Sequence, residues 1–153
     1  MRLALYQPDI AQNAGTLLRL AACLGVPADL IEPCGFVFGD GRLRRAGMDY
    51  LDHVALVRHL SWDAFRAAVP GRLILLTTRG ALAYTEAVFH PADTLMVGRE
   101  SAGVPDAVHD AADLRVRVPM RHGMRSLNVA LAGAMVLGEA LRQTGLWPDG
   151  EAQ

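Results

Sequence analysis

Residues 121–143 read RHGMRSLNVALAGAMVLGEALRQ. The stretch starts as a polar loop containing a glycine and continues as a long apolar helix, predicted from about Ser126 to Thr144, with Ser126 or Asn128 able to cap it. Immediately before it, Leu114–Val118 reads as a short buried strand. Strand, polar loop and apolar helix in that order form the unit from which α/β folds are built.

The same unit recurs along the chain. Arg2–Tyr6 predicts a first strand, Gln7–Gly15 a loop, and Thr16–Leu24 a helix with Leu17, Leu20, Ala21 and Leu24 on one face and Gly25 as its stop. Asp29–Ile31 and His53–Val57 read as strands, with a short helix at Arg42–Ala46 between them. Ser61 caps a helix over Trp62–Ala68, which Pro70-Gly71 ends. Arg72–Thr77 and Thr94–Gly98 are buried strands, separated by a helical turn at Thr85–Val88, and Pro105–Ala111 is a helix. The expectation is an α/β fold with a mostly parallel sheet and helices on both faces. No repeat, linker or low-complexity tract interrupts it, so a single domain is expected over residues 1–153.

Composition narrows the function classes. The chain has 153 residues, 52% of them apolar, and a net charge of −1. That supports a sizeable core and argues against disorder. No apolar run reaches the roughly 18 residues of a membrane span, and no secretion signal follows Met1. Cys23 and Cys34 form neither a disulfide framework nor a metal-spaced cluster, and the five histidines show no ligand spacing, so no metal and a cytoplasmic location are expected. All 15 basic side chains are Arg, each a planar fork suited to phosphate.

Familiar nucleotide motifs fail. The first strand is not followed by G-x-G-x-x-G, and a Walker loop is impossible without Lys. Arg99-Glu100-Ser101-Ala102-Gly103 lacks the first glycine of a nucleophile elbow. What remains is three polar loops at strand ends, where α/β sheets bind ligands: Gln7–Arg19, Gly98–Pro105 and Pro119–Asn128. Each has a plain structural reading as well. The glycines could only make turns, Ser126 and Asn128 could only cap, and Arg19 could extend to solvent.

Taken together, Asn13-x-Gly15-x-x-x-Arg19, then Gly98-Arg99-Glu100-Ser101-x-Gly103-Val104-Pro105, then Val118-Pro119-Met120 with Ser126-Leu127-Asn128, resemble the three motifs of the SPOUT (α/β-knot) RNA methyltransferases. Ile31-Glu32-Pro33 and Arg42–Tyr50 are similar to the short, single-domain subgroup, the TrmL type of tRNA (cytidine/uridine-2′-O)-methyltransferase. The resemblance runs from Leu3 to about Trp147.

The resemblance implies a C-terminal deep trefoil knot, a departure from the usual unknotted topologies. It also implies a homodimer without a separate RNA-binding domain, and S-adenosylmethionine as cofactor. The implied activity is 2′-O-methylation of the wobble nucleotide, cytidine or uridine 34, in tRNA. The alternatives are another tRNA or rRNA site, or a non-catalytic RNA- or nucleotide-binding protein of the same fold. Carried over by position, Leu76, Thr77, Gly98, Glu100, Val118, Ser126 and Leu127 would form the cofactor site. Arg19, Ser126, Asn128 and Asn13 would serve catalysis. A guanidinium stays protonated, so Arg19 would stabilise a forming alkoxide rather than act as a base. Arg42, Arg44, Arg45, Arg121 and Arg125 would bind RNA, although charge clusters are also ordinary solvated faces. The small residues around Leu131, Met135, Gly138, Ala140 and Leu141 would let another helix approach.

Overall fold

A computed structural model of the chain describes residues 1–37, 50, 53–69 and 71–150. Its sheet has seven strands in the order β3-β2-β1-β6-β4-β7-β5. They are β1 (Arg2–Tyr6), β2 (Ala28–Ile31), β3 (Leu56–His59), β4 (Leu73–Leu76), β5 (Leu82–Ala83), β6 (Thr94–Val97) and β7 (Leu114–Arg117). Every pairing is parallel. Among the described residues the helices are α1 (Ala11–Cys23), α2 (Trp62–Ala68), α3 (Asp106–Asp110) and α4 (Val129–Thr144), with a 3-10 turn at Tyr84–Glu86.

The near-continuous apolar strands are explained by cover on both faces. Alternate residues of β1 divide between two cores. Leu3 and Leu5 join Leu95, Val97 and Ile74 beneath α1 and α4. Ala4 and Tyr6 join Met96, Leu73 and Leu75 beneath Phe65 of α2 and Val108 of α3. Burial of each Leu in these layers contributes about 1.5–3 kcal/mol. At the amino edge, Arg72 Nε and Nη2 donate to Asp93 at 2.8 and 2.7 Å, tying the segments that enter β4 and β6. Arg2 likewise grips the buried Asp29 of β2, which also meets His59 Nε2 at 2.8 Å. These forked contacts staple the sheet away from its carboxyl edge.

The parallel sheet and two-faced helical cover agree with the sequence reading. Several boundaries differ from it. Helix α1 begins at Ala11, so Asn13 and Gly15 are helical rather than loop residues. Ala14 and Gly15 are buried there, and packing outweighs the weak helix preference of Asn13 and Gly15. Strand β3 lies at Leu56–His59 instead of His53–Val57, because its pairing with β2 sets Ile31 opposite His59. The two-residue β5 is too short to show periodicity. Helix α4 starts at Val129, and the helix expected at Arg42–Ala46 lies outside the described residues. The close helix approach expected at the small residues of α4 is partly used within the chain. A Cβ at Gly133 would sit 2.9 Å from Leu17 Cδ2 of α1, and Ala140 and Leu141 are buried in the chain's own core.

Candidate active site

The chain lays β2 and β3 on one side of β1, then returns to build β6, β4, β7 and β5 on the other. Loops leaving neighbouring strands at such a reversal diverge and leave a crevice at the carboxyl edge. A cleft of about 920 Å³ lies at this edge. Residues following β1, β4, β6 and β7 all line it. So do all seven residues expected to bind the cofactor: Leu76, Thr77, Gly98, Glu100, Val118, Ser126 and Leu127. Asn13, Asn128 and Arg125 line it as well.

Arg19 is not among the lining residues. It is exposed on α1, with its guanidinium carbon 4.5 Å from the ring centre of Tyr50. Arg121 is exposed and also absent from the wall. Arg42, Arg44 and Arg45 lie outside the described residues.

Three of the site's polar side chains form one chain of hydrogen bonds. Asn13 Nδ2 donates to Glu100 Oε1 at 3.1 Å, and Asn128 Nδ2 donates to Asn13 Oδ1 at 3.0 Å. Asn128 Oδ1 then accepts from the amides of Ala130 and Leu131 at 2.8 and 3.3 Å, so Asn128 is the cap of α4. Ser126 is not the cap; it stands in the loop before α4, in the cleft wall. An Asn at this position satisfies orphan helix amides with its oxygen while its amide nitrogen remains a donor. The chain of bonds therefore joins the hairpin after β6, helix α1 and the start of α4.

A second set of bonds reinforces the first. Asp9 Oδ1 accepts from Arg99 Nε and Nη2 at 3.1 and 2.9 Å. Asp9 Oδ2 accepts from the Ser101 amide at 3.1 Å and from the Ser101 hydroxyl. The Asp9 amide donates to Glu100 Oε2 at 2.9 Å. The Ser101 hydroxyl, foremost, and Arg99 hold the Asp9 carboxyl below the usual carboxylate range. Sequence reasoning singled out Arg99 and Ser101 only as motif letters and gave Asp9 no role. Nothing local connects positions 9 and 99.

The hairpin of residues 98–103 is itself tight. The amides and carbonyls of Arg99 and Gly103 exchange two bonds of 3.0 and 2.9 Å. Gly103 has φ +66°, and a Cβ at Gly98 would lie 2.9 Å from the Gly103 carbonyl carbon. Both glycines are therefore needed for conformation or space. On the next loop, a Cβ at Gly80 would come within 2.6 Å of the Val116 backbone, so the segment after β4 presses against β7.

The cleft suits the adenosyl group of S-adenosylmethionine. Its size falls within the roughly 300–1,000 Å³ of small-molecule sites. Leu75, Leu76, Val118 and Leu127 supply apolar wall. Among the described residues, the backbones of Gly98, Val118, Ser126 and Leu127 enter no turn, loop or cap hydrogen bond, which leaves their polar groups for the donor and acceptor edge of a purine.

An all-parallel α/β sheet with three motif segments meeting at its carboxyl edge defines a class that comparison makes explicit. Residues 1–138 match the SpoU rRNA Methylase family, and the chain belongs to that family. A relative from Beijerinckia indica, named tRNA (cytidine(34)-2'-O)-methyltransferase, is 64% identical over 146 residues, covering 94% of this chain and 91% of the relative. A solved structure described as giving insights into the 2-OH methylation of C/U34 on tRNA superposes with a TM-score of 0.89 at 43% identity, covering 93% of this chain and 94% of that one. The SpoU methyltransferase AviRb of Streptomyces viridochromogenes, solved with AdoMet, gives a TM-score of 0.80 at 28% identity over 94% of this chain and 60% of its own.

Proposed function

We propose that this chain is an S-adenosylmethionine-dependent 2′-O-methyltransferase acting on cytidine or uridine 34, the wobble nucleotide of tRNA anticodon loops. The observation that carries this reading is the meeting of the segments after β1, β6 and β7 on one cleft, held by the Glu100–Asn13–Asn128 bonds. The close likeness to relatives named for this reaction supplies the substrate.

S-adenosylmethionine, when bound, supplies an activated methyl group, so the protein's main task is alignment. Leu76, Thr77, Gly98, Val118 and Leu127 hold it through apolar wall and backbone groups, with Glu100 fixing the wall from behind. Asn13 and Asn128 are tied to each other and orient the ribose. Ser126 makes no hydrogen bond among the described residues, which leaves its hydroxyl to meet the substrate. Arg19 stabilises the negative charge that develops on the 2′-oxygen.

Arg19 stands outside the cleft of its own chain. A homodimer lets α1 of one copy present it to the other. Leu131 and Met135, exposed at 61% and 43% on the outer face of α4, supply apolar surface for that contact. The chain works as one domain in the cytoplasm, and residues 119–128 form the threaded loop of the knot. Arg42, Arg44, Arg45, Arg121 and Arg125 grip RNA phosphate. Among the described residues, no helix is long and apolar enough to cross a membrane.

Tritiated methyl transfer to total RNA from a deletion strain, followed by nucleoside mapping, tests the proposal. Label is expected on the ribose of nucleotide 34. Label on a base, on rRNA alone or on no RNA would overturn it.

A further inference from the structure

We propose that Asp9 is a positioning residue for methyl transfer: its carboxylate fixes where the 98–103 hairpin stands against the start of α1. This inference rests on the methyltransferase reading above. The hairpin supplies wall to the cleft, while α1 carries Asn13, which lines the same cleft. Their relative placement decides whether donor and acceptor meet in line.

Asp9 lies in the turn between β1 and α1, with its side chain 18% exposed. Each carboxylate oxygen takes two donors, and all four come from Arg99 and Ser101 of the one hairpin. The backbone of Asp9 answers in the other direction, donating to Glu100 of the same hairpin at 2.9 Å. Glu100 spends its second oxygen on Asn13, and Asn13 passes the connection to Asn128 at the head of α4. Asp9 is thus the point where the hairpin is clasped to the start of α1. The backbone behind Asp9 is also confined. Gly35 donates to Pro8 at 2.9 Å, and a Cβ on Gly35 would lie 2.9 Å from Asp9 Cα. With the main chain held from behind, the carboxylate aims at the hairpin.

The hairpin's internal shape does not need Asp9. The paired bonds between Arg99 and Gly103 close it without help. Loss of the carboxylate therefore leaves the wall's shape and loosens its placement, which then rests on Glu100 and its bonds to the Asp9 amide and Asn13. Methyl transfer is sensitive to placement, since displacements near 1 Å can cost about 100-fold in rate. Binding of the cofactor to a wall of unchanged shape is not.

The test compares wild type with Asp9→Asn, Arg99→Gln and the double variant. Single-turnover methyl transfer is measured at saturating tRNA and S-adenosylmethionine and expressed per cofactor-binding site counted by calorimetry. Both single variants are expected to lose about 10–100-fold in rate per site; for Asp9→Asn, whose side chain does not line the cleft, cofactor affinity is expected to change by less than about threefold. The double variant is expected to be little worse than Asp9→Asn alone, because both substitutions disrupt the same Asp9–Arg99 contact. Amide exchange at Glu100–Gly103, measured without ligand, is expected to rise in both single variants. A rate per site within twofold of wild type overturns the proposal, as does a cofactor-affinity loss equal to the rate loss, strict multiplication of the two single effects, or unchanged exchange. A misfolded Asp9→Asn would leave Arg99→Gln and Ser101→Ala to decide, the latter with a smaller rate loss. Failure of wild type to methylate any RNA would sink the proposed function, while amide exchange would still decide the clasp.

Discussion

Replacing Gly98 by Ala tests the geometry of the cleft most directly. The added Cβ would stand 2.9 Å from the Gly103 carbonyl carbon, 3.1 Å from its Cα and 3.1 Å from its oxygen. All three atoms are backbone, so no side chain can swing aside. Ordinary contact begins near 3.4 Å, so the hairpin must open by about half an ångström. That opening strains the two Arg99–Gly103 bonds of 3.0 and 2.9 Å. Overpacking of this kind costs about 1–3 kcal/mol. For a chain of this size that lowers the melting temperature by roughly 2–12 °C. Because Gly98 also lines the cleft, cofactor affinity should fall at least about tenfold, or about 1.4 kcal/mol. Thermal melts with and without S-adenosylmethionine, together with calorimetric titration, read both effects. Gly103→Ala separates crowding from conformation. It meets nothing within 4 Å but must hold φ +66°, a strain of about 1–2 kcal/mol. Gly98→Ala with wild-type melting and wild-type affinity would show that the hairpin is not closed in this way.

Arg19→Ala should abolish turnover while leaving cofactor affinity largely intact, because Arg19 does not line the cleft; an equal loss of affinity in calorimetry would contradict its assigned role. Asn128→Ala should cost about 1 kcal/mol through the lost cap of α4, and should slow methyl transfer further by releasing Asn13; denaturant titration and single-turnover rates read the two parts. Arg44→Ala should weaken tRNA binding and flatten its salt dependence, with cofactor affinity unchanged in the same titrations. The depressed carboxyl of Asp9 contributes stability that is fully present above the ordinary carboxylate value of about 3.9 and is lost as pH falls through its lower folded value. The gap in urea midpoint between wild type and Asp9→Asn should therefore hold at pH 5 and shrink below about pH 4; a gap that widened on acidification would contradict the bonds to Ser101 and Arg99.

The layers were legible in the sequence because they depend on local pattern. Apolar runs such as Arg72–Thr77 and Thr94–Gly98 announced strands buried on both faces, and Ser61 announced α2, whose first turn it caps at 3.1 Å. The motif segments were legible too, since glycine, asparagine and arginine at fixed spacing survive as letters. Boundaries set by packing were less visible. Asn13 and Gly15 look like loop residues, yet the core draws that stretch into α1. Ser126 and Asn128 were equal candidates for the cap until the loop's path gave the cap to Asn128.

By itself, the order of residues determined an α/β fold with a mostly parallel sheet and the three polar segments at its strand ends, because periodicity and turn chemistry act over a few residues. Only the tertiary structure decided which atoms meet there. Asp9 finds Arg99 and Ser101, Glu100 finds Asn13, and Asn13 finds Asn128 across separations of 87 to 115 residues. The sheet order β1-β6-β4-β7 creates those encounters, and strand order is settled by packing the whole core rather than by any short stretch of chain.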